Sequence, residues 1–144
     1  DTIHAIADLD ELLPLYDYIV LITPLTDATR GLFDTRRLAL LPSHARFINL
    51  GRGALVNQQA LIDALREQRI AGAALDVFEI EPLPADSALW GLENVIVSPH
   101  MSGDFKGFDA AMVDLFVENF ARYQRGDELM NIVDKALGFV PGKA

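Results

Sequence analysis

The sequence of 144 residues contains no cysteine, and its basic residues are few. The lack of cysteine excludes disulfide bonds, thiolate zinc sites and cysteine nucleophiles, and it is typical of a cytoplasmic protein. Only 12 Lys and Arg stand against 21 Asp and Glu, so the formal net charge is −9. Nucleic-acid binding needs clustered cations at the phosphates, so we expect no nucleic-acid partner.

Long hydrophobic runs are also missing. No apolar stretch approaches the roughly 18 residues that span a bilayer, and the segment from Asp1 to His4 lacks the basic start of a signal peptide. We therefore expect no membrane partner. What is present is the composition of a globular core, with 51% hydrophobic and 23% charged residues.

Short apolar runs alternate with segments of helical periodicity. The runs predict strands at residues 18–23, 45–50, 70–78 and 94–98. Between them we predict a helix from Leu9 to about Tyr16, a second from Thr35 to Leu41 and a third after Asn57, with Asp8, Asp34 and Asn57 as N-caps. The alternation implies right-handed crossovers, and hence an α/β fold with a doubly wound parallel sheet.

The last third of the chain has a different pattern. From Gly107 to about Gly126, apolar residues recur every three or four positions and predict one long amphipathic helix. The segment from Leu129 to Val140 is too short for a domain and is expected to pack against another part of the protein. We therefore divide the chain into residues 1–106 and 107–144, and we expect exposed apolar faces on the first strand and on the long helix.

Ligands of doubly wound sheets bind outside the carboxyl ends of the strands, and three of these ends carry Arg52, Glu81 and His100. Arg52 either holds a carboxylate through two parallel hydrogen bonds or is a solvated residue of a Gly-Arg-Gly turn. A lone histidine after a strand is more often packed or exposed than catalytic, but a carboxylate bonded to it would fix its tautomer and favour proton donation. Glu81 could supply that carboxylate, although Glu79 and Glu81 could also be solvated.

Other polar and aromatic residues carry weaker signals. Asp76, at the end of its strand, either accepts a hydrogen bond from a ligand amide or caps the chain locally. Trp90 is expected to be a hydrophobic anchor under a loop. His4 and His44 have no partner pattern and are assigned to the surface. No histidine pair has the spacing of metal ligands, so we expect no metal site.

Four stretches, in order along almost the whole chain, are specific enough to suggest a family. They are Pro24 to Leu32, Asn49 to Leu65, Gly72 to Pro84 and Asn94 to His100. Together they resemble the NAD-dependent D-isomer-specific 2-hydroxyacid dehydrogenases, of the glyoxylate/hydroxypyruvate reductase or phosphoglycerate dehydrogenase type. The resemblance implies hydride transfer between the nicotinamide and C2 of a small 2-oxo or 2-hydroxy acid, by a homodimer.

The resemblance also implies roles for single residues. Arg52 matches the arginine that grips the substrate carboxylate, His100 the acid/base group and Glu81 its carboxylate partner. Asp76 matches the acid that orients the nicotinamide carboxamide. The cofactor, NAD or NADP, is expected to contact Thr23, Pro24, Leu25, Leu50, Gly51, Arg52, Asp76, His100, Ser102 and Gly103.

No Gly-x-Gly-x-x-Gly motif occurs in the sequence. The phosphate-binding turn and most of the substrate domain are therefore expected before Asp1. We thus interpret the chain as the carboxyl-terminal portion of such an enzyme, inactive on its own: the second half of a Rossmann-type cofactor domain, followed by a crossover helix and a tail. The alternative is a nucleotide-sensing corepressor on the same fold. A receiver-type signalling module ranks last, because Asp17 precedes its strand.

Overall fold

Four parallel strands form one sheet in a computed structural model that describes residues 2–141. Along the sheet the order is β1 (Tyr18–Leu21), β2 (Arg46–Asn49), β3 (Gly72–Leu75) and β4 (Val95–Val97), and each strand pairs in parallel with the next. The predicted α/β class and parallel sheet are confirmed. The strands are shorter than the apolar runs. In the third run, Val77 and Phe78 come after the end of β3 and are apolar because the loop they belong to is buried.

The helices of the sheet region are α1 (Leu9–Leu12), α2 (Thr35–Leu38) and α3 (Gln58–Arg66). The predicted first helix is wrong in its extent, because short 3-10 turns at Ile6–Asp8 and Leu13–Leu15 flank α1. Proline has no amide hydrogen to donate, and Pro14 lies in the second of these turns. The predicted Asp8 cap is wrong as well, since its carboxylate accepts from the backbone amide of Ala5 instead.

The other two predicted caps are confirmed. The Asp34 carboxylate accepts from the amide of Arg37 at 2.8 Å, and the Asn57 side chain accepts from the amide of Ala60 at 2.9 Å. Helix α2 ends at Leu38, earlier than predicted, because the following residues form tighter turns before Pro42. Helix α3 buries an apolar stripe that consists of Ala60, Leu61, Ala64 and Leu65.

The core lies between one face of the sheet and the helices α2 and α3. At its centre Phe33 and Phe47 meet edge to face, with their ring centroids 5.0 Å apart. The opposite face of the sheet carries exposed apolar side chains, with 59% of Tyr18, 50% of Val20 and 71% of Ile96 accessible. Parallel sheets are normally covered on both faces, so the exposed face predicted at the first strand is confirmed.

A second compact unit begins at Gly103, four residues before the predicted division at residues 106/107. Its helix α4 (Phe108–Arg125) confirms the predicted long helix, and its apolar residues Phe116 and Phe120 are exposed. The glycines at both ends, Gly107 and Gly126, adopt positive φ angles of 94° and 74°, a conformation that glycine adopts at little cost. The tail packs on α4 through Asn119, whose amide pairs with both backbone groups of Met130.

Within residues 2–141, none of the helices combines the length and the apolar character needed to cross a bilayer.

We expect the Asn57→Ala variant to be less stable than the parent chain by about 1 kcal/mol, because the first turn of α3 loses its side-chain acceptor. The Asn57→Asp variant keeps an acceptor at the same place and is the matched control. Urea denaturation followed by circular dichroism measures both free energies of unfolding. Equal losses in the two variants would contradict the assigned cap.

Candidate active site

The carboxyl ends of the four strands lie side by side and are tied together by backbone hydrogen bonds. The amide of Leu50 donates to Leu21, the amide of Asp76 to Asn49, and the amide of Ser98 to Leu75, at 2.9 to 3.1 Å. Each of these bonds extends the ladder just beyond its strands. The loops that leave the strands are therefore held at one edge of the sheet, where ligands of parallel sheets bind.

His100 and Glu81 form a direct pair at this edge. His100 Nδ1 and Glu81 Oε2 are 2.7 Å apart, and the other carboxylate oxygen accepts from the backbone amide of Phe78 at 2.9 Å. The two side chains remain 44% and 34% exposed, so the pair is open to a ligand. In the part of the chain that the structure describes, no hydrogen bond involves His100 Nε2.

The pKa of Glu81 lies below its usual value, which keeps the carboxylate ionised. Burial by itself would raise this pKa, but the hydrogen bonds from His100 and from the Phe78 amide lower it, and so does the charge of Arg52. The backbone links Arg52 to this pair, since the neighbouring Gly53 lies against the carbonyl group of Phe78, whose amide binds Glu81. An anion, an imidazole and a guanidinium at one strand edge can bind a carboxylate and move a proton.

Asp76 holds the loop that carries His100. Its carboxylate, only 1% exposed, accepts from the Ser98 hydroxyl at 2.5 Å and from the amides of Met101 and Ser102 at 2.9 Å. Burial raises the pKa of Asp76, but these hydrogen bonds, together with the Ser102 side chain, outweigh that effect and leave the pKa well below its usual range. Of the two interpretations left open for Asp76, the structure shows the local cap.

The hydrogen bonds of Asp76 hold the backbone around His100, a residue in a strained conformation. His100 has a positive φ of 53°, a conformation that costs a residue other than glycine roughly 1 to 2 kcal/mol. The amides that Asp76 holds belong to the two residues directly after His100, and the hydroxyl belongs to Ser98, two residues before it. The buried carboxylate thereby keeps His100 in an orientation that the chain would not adopt by itself.

Arg52 is exposed and lies in a turn that glycines make possible. Its Nη1 donates to the carbonyl of Gly51 at 2.7 Å, which leaves the other guanidinium nitrogens for a ligand. A Cβ on Gly53 would come within 1.9 Å of the carbonyl carbon and oxygen of Phe78. The absent side chain of Gly53 therefore lets the Arg52 turn lie directly against the backbone that leads to Glu81.

The predicted cofactor residues fall on two units. Thr23, Pro24 and Leu25 follow β1, and the carbonyl of Thr23 would lie 3.0 Å from a Cβ on Gly51. Two apolar side chains at the same edge are exposed: 74% of Ile22, directly after β1, and 38% of Leu50, directly after β2, are accessible. Ser102 ends the unit of the sheet, and its backbone amide is bound to Asp76. Gly103 begins the second unit.

One residue of the site had no role in the sequence-based interpretation. Asn49 is 2% exposed and bonds both to the amide of Gly51 and to the carbonyl of Arg52. Gly53 was expected only as part of the Gly-Arg-Gly turn, and it also provides the close approach to Phe78. For Asn49 a signal existed, since it is a polar residue at the same alternation position as the buried Phe47 in an apolar strand.

Three other side chains have partners or surroundings that the sequence did not indicate. Trp90 is not a buried anchor, because 56% of it is exposed and its indole nitrogen donates to the carbonyl of Pro84. This places the ring on the wall of a largely apolar cavity of about 590 Å³, next to the His100–Glu81 pair. Glu79 exchanges hydrogen bonds with Gln58 at the start of α3. His44 is exposed as expected, but it pairs with Asp17 at 2.8 Å.

Among residues 2–141 no group of three or more His, Asp or Glu side chains is arranged to hold a metal ion.

A family model described as the NAD binding domain of D-isomer specific 2-hydroxyacid dehydrogenases matches residues 1–102. The chain belongs to this family. The resemblance that the motifs suggested is thereby confirmed, and the parallel sheet is of the Rossmann type found in these dehydrogenases.

Curated relatives and solved structures agree with the assignment to the 2-hydroxyacid dehydrogenases. The glyoxylate/hydroxypyruvate reductase B of Escherichia fergusonii is 42% identical over 127 residues, which make up 88% of this chain and 39% of the relative. The glyoxylate reductase of Thermococcus onnurineus is 39% identical over 88% of this chain and 38% of its own length. The chain thus spans about 40% of the length of the curated relatives it matches.

Two crystal structures show the same fold. A D-isomer specific 2-hydroxyacid dehydrogenase from Xanthobacter autotrophicus, in complex with NADPH and MES, gives a TM-score of 0.81 at 45% identity and covers 92% of this chain and 54% of that one. The NADPH-dependent glyoxylate/hydroxypyruvate reductase of Sinorhizobium meliloti, in complex with NADP and sulfate, gives 0.84 at 35% identity, over 92% of this chain and 43% of that one.

We expect the Gly53→Ala variant to lose about 1 to 3 kcal/mol of stability, because the new Cβ would overlap with the Phe78 backbone. Gly91→Ala is the matched control, since Gly91 also lies in a 3-10 turn but has open space around its Cβ position. Urea denaturation measures both. A loss as small as that of Gly91→Ala would show that the two loops are not in contact.

The depressed pKa of Asp76 predicts a specific pH dependence. A carboxyl whose pKa is lower in the folded than in the unfolded state stabilises the fold above its unfolded pKa, and that contribution is lost as the pH falls through the folded value. The Asp76→Asn variant should therefore be less stable than the parent at pH 7 by about 1 to 3 kcal/mol. This difference should shrink as the pH falls below the ordinary value of 3.8.

Denaturation of both proteins at a series of pH values measures the shrinking difference. Asp86→Asn, in an exposed loop, is the control and should follow the parent at every pH. Parallel curves for the parent and Asp76→Asn would contradict the assigned hydrogen bonds.

Proposed function

We propose that this chain supplies the acid/base group and the substrate anchor of an NAD(P)-dependent oxidoreductase that interconverts small 2-oxo and 2-hydroxy acids. The observation that supports this proposal most directly is the His100–Glu81 pair at the carboxyl edge of the sheet, with Arg52 close enough to lower the pKa of Glu81. Family membership and the reductases among the relatives support the reaction type. These relatives lend no support to the corepressor alternative.

In the proposed reaction Glu81 orients His100. Its ionised carboxylate would accept a hydrogen bond from Nδ1–H, which leaves the other ring nitrogen, Nε2, for the substrate. During reduction Nε2 would give a proton to the keto oxygen on C2, which becomes a hydroxyl, and during oxidation it would remove that proton. The fixed backbone of His100 keeps this nitrogen in one place.

Arg52 would bind the substrate. The Nη1 atom of the guanidinium is anchored to Gly51, and the remaining donors can hold a carboxylate through two parallel hydrogen bonds. A second effect of the same cation is electrostatic, since it stabilises negative charge on the keto oxygen as that oxygen is reduced.

The edge of the sheet fits a dinucleotide cofactor in several respects. Ile22 and Leu50 offer exposed apolar surface for a flat ring, and the backbone at Gly51 is free of a Cβ. We propose Asp76, directly after β3, as the residue that orients the nicotinamide carboxamide, as the family resemblance implies. When bound, the nicotinamide would supply or accept the hydride. We propose Thr23, Pro24 and Leu25 as further contacts of NAD or NADP.

Further expectations from the sequence remain proposals. We propose a homodimer, as the family resemblance implies, and a cytoplasmic location, which the absence of cysteine supports. We also propose that this stretch of sequence has no turnover by itself, because it contains no Gly-x-Gly-x-x-Gly turn for the pyrophosphate.

We expect the His100→Ala variant of the complete protein to lose about 10²- to 10⁴-fold in kcat for glyoxylate or hydroxypyruvate, because the proton donor is gone. Binding of the cofactor, followed by fluorescence titration, should change little. His44→Ala is the matched control. His44 also pairs with a carboxylate, that of Asp17 at 2.8 Å, but this pair lies before β1 and β2 rather than after them. Near-normal turnover by His100→Ala would refute the assignment.

A further inference from the structure

Asn49 is a buried polar side chain that the proposed reaction does not use. It ends β2 and is 2% exposed. Within residues 2–141, Asp76 is the only other polar or charged residue that is buried. Burying a side-chain amide costs free energy unless both of its ends find hydrogen-bond partners. The partners of Asn49 therefore indicate why the residue is there.

Both ends of the amide bind the turn that carries Arg52. The oxygen Oδ1 accepts from the backbone amide of Gly51 at 3.1 Å, and Nδ2 donates to the carbonyl of Arg52, also at 3.1 Å. The carbonyl of Gly51 belongs to the peptide group that lies between those of the Gly51 amide and the Arg52 carbonyl. It accepts from the Arg52 guanidinium at 2.7 Å. Three successive peptide groups of the turn are thus held by side chains.

The anchoring reaches the rest of the site through the backbone of Asn49. Its carbonyl accepts from the amide of Asp76, the residue that clamps the His100 loop. On its other side, the turn is limited by the contact of Gly53 with Phe78. Asn49 therefore connects the Arg52 turn to the same rigid strand ends that hold His100.

We propose that Asn49 is a positioning residue for substrate binding, which fixes the turn so that the Arg52 guanidinium faces the His100–Glu81 pair. The proposal rests on the proposed function, because it takes Arg52 as the carboxylate anchor. The requirement is specific for the amide. An aspartate keeps the acceptor for Gly51 but turns an oxygen toward the Arg52 carbonyl, and an apolar side chain offers neither group.

The test is kinetic and uses the complete protein with glyoxylate as substrate. The Asn49→Asp variant should raise KM for glyoxylate by about tenfold or more, as expected when a charge-assisted contact is weakened, while Kd for NADPH stays within about twofold. Asn94→Asp is the matched control. Asn94 also donates from Nδ2 to a backbone carbonyl, that of Leu65, but it lies just before β4, at the opposite end of the sheet.

A double-mutant cycle separates positioning from a general loss of stability. If Asn49 acts through Arg52, then Asn49→Asp should change KM by less than about twofold in an Arg52→Ala background. A tenfold increase that persists in that background overturns the proposal. So does an unchanged KM in the single variant, or an equal change in Asn94→Asp.

A second measurement does not depend on turnover. NMR relaxation of the Arg52 Nε–H group reports the order of this side chain, which should fall in Asn49→Asp and stay unchanged in Asn94→Asp. Loss of order together with a parent protein that reduces no 2-oxo acid would refute the proposed function and leave the positioning role intact. Retained order in Asn49→Asp would refute the positioning role.

Discussion

The buried carboxylate of Asp76 is the interaction on which the site depends. It accepts three hydrogen bonds from the segment around His100, and that segment contains a residue in a left-handed conformation. A charged group with 1% exposure is tolerated only when its hydrogen bonds offset the cost of burial, and here they hold the pKa of Asp76 low. The same hydrogen bonds to the Asp76 carboxylate therefore stabilise the fold and orient His100.

A second constraint brings Arg52 to the same place. The turn at Gly51 and Gly53 presses against the backbone at Phe78, and the Asn49 amide holds it from the strand side. The loops after β2 and β3 are thus packed against each other without side chains between them. Arg52 and Glu81 belong to different loops, and this backbone contact fixes how far apart the two loops lie.

Much of the fold could be predicted because it depends on local patterns. Alternating apolar runs and helix-period segments indicated a parallel sheet, and Asp34 and Asn57 cap their helices as predicted. Asp8 and Trp90 show where such reasoning fails. Asp8 had a second partner within reach at Ala5, and the burial of Trp90 depended on which residues surround it. Hydrogen-bond competition and distant packing leave no periodic signal in a sequence.

The sequence by itself determined the family and the identity of the chemical groups, because Arg52, Glu81 and His100 stand in motifs at the ends of apolar runs. Only the tertiary structure decided that Asp76 holds the loop of His100 and that Asn49 holds the turn of Arg52. The physical reason is that a hydrogen bond needs two groups within about 3 Å, and residues such as Asp76 and Ser102, 26 positions apart, reach that distance only when the strands pair.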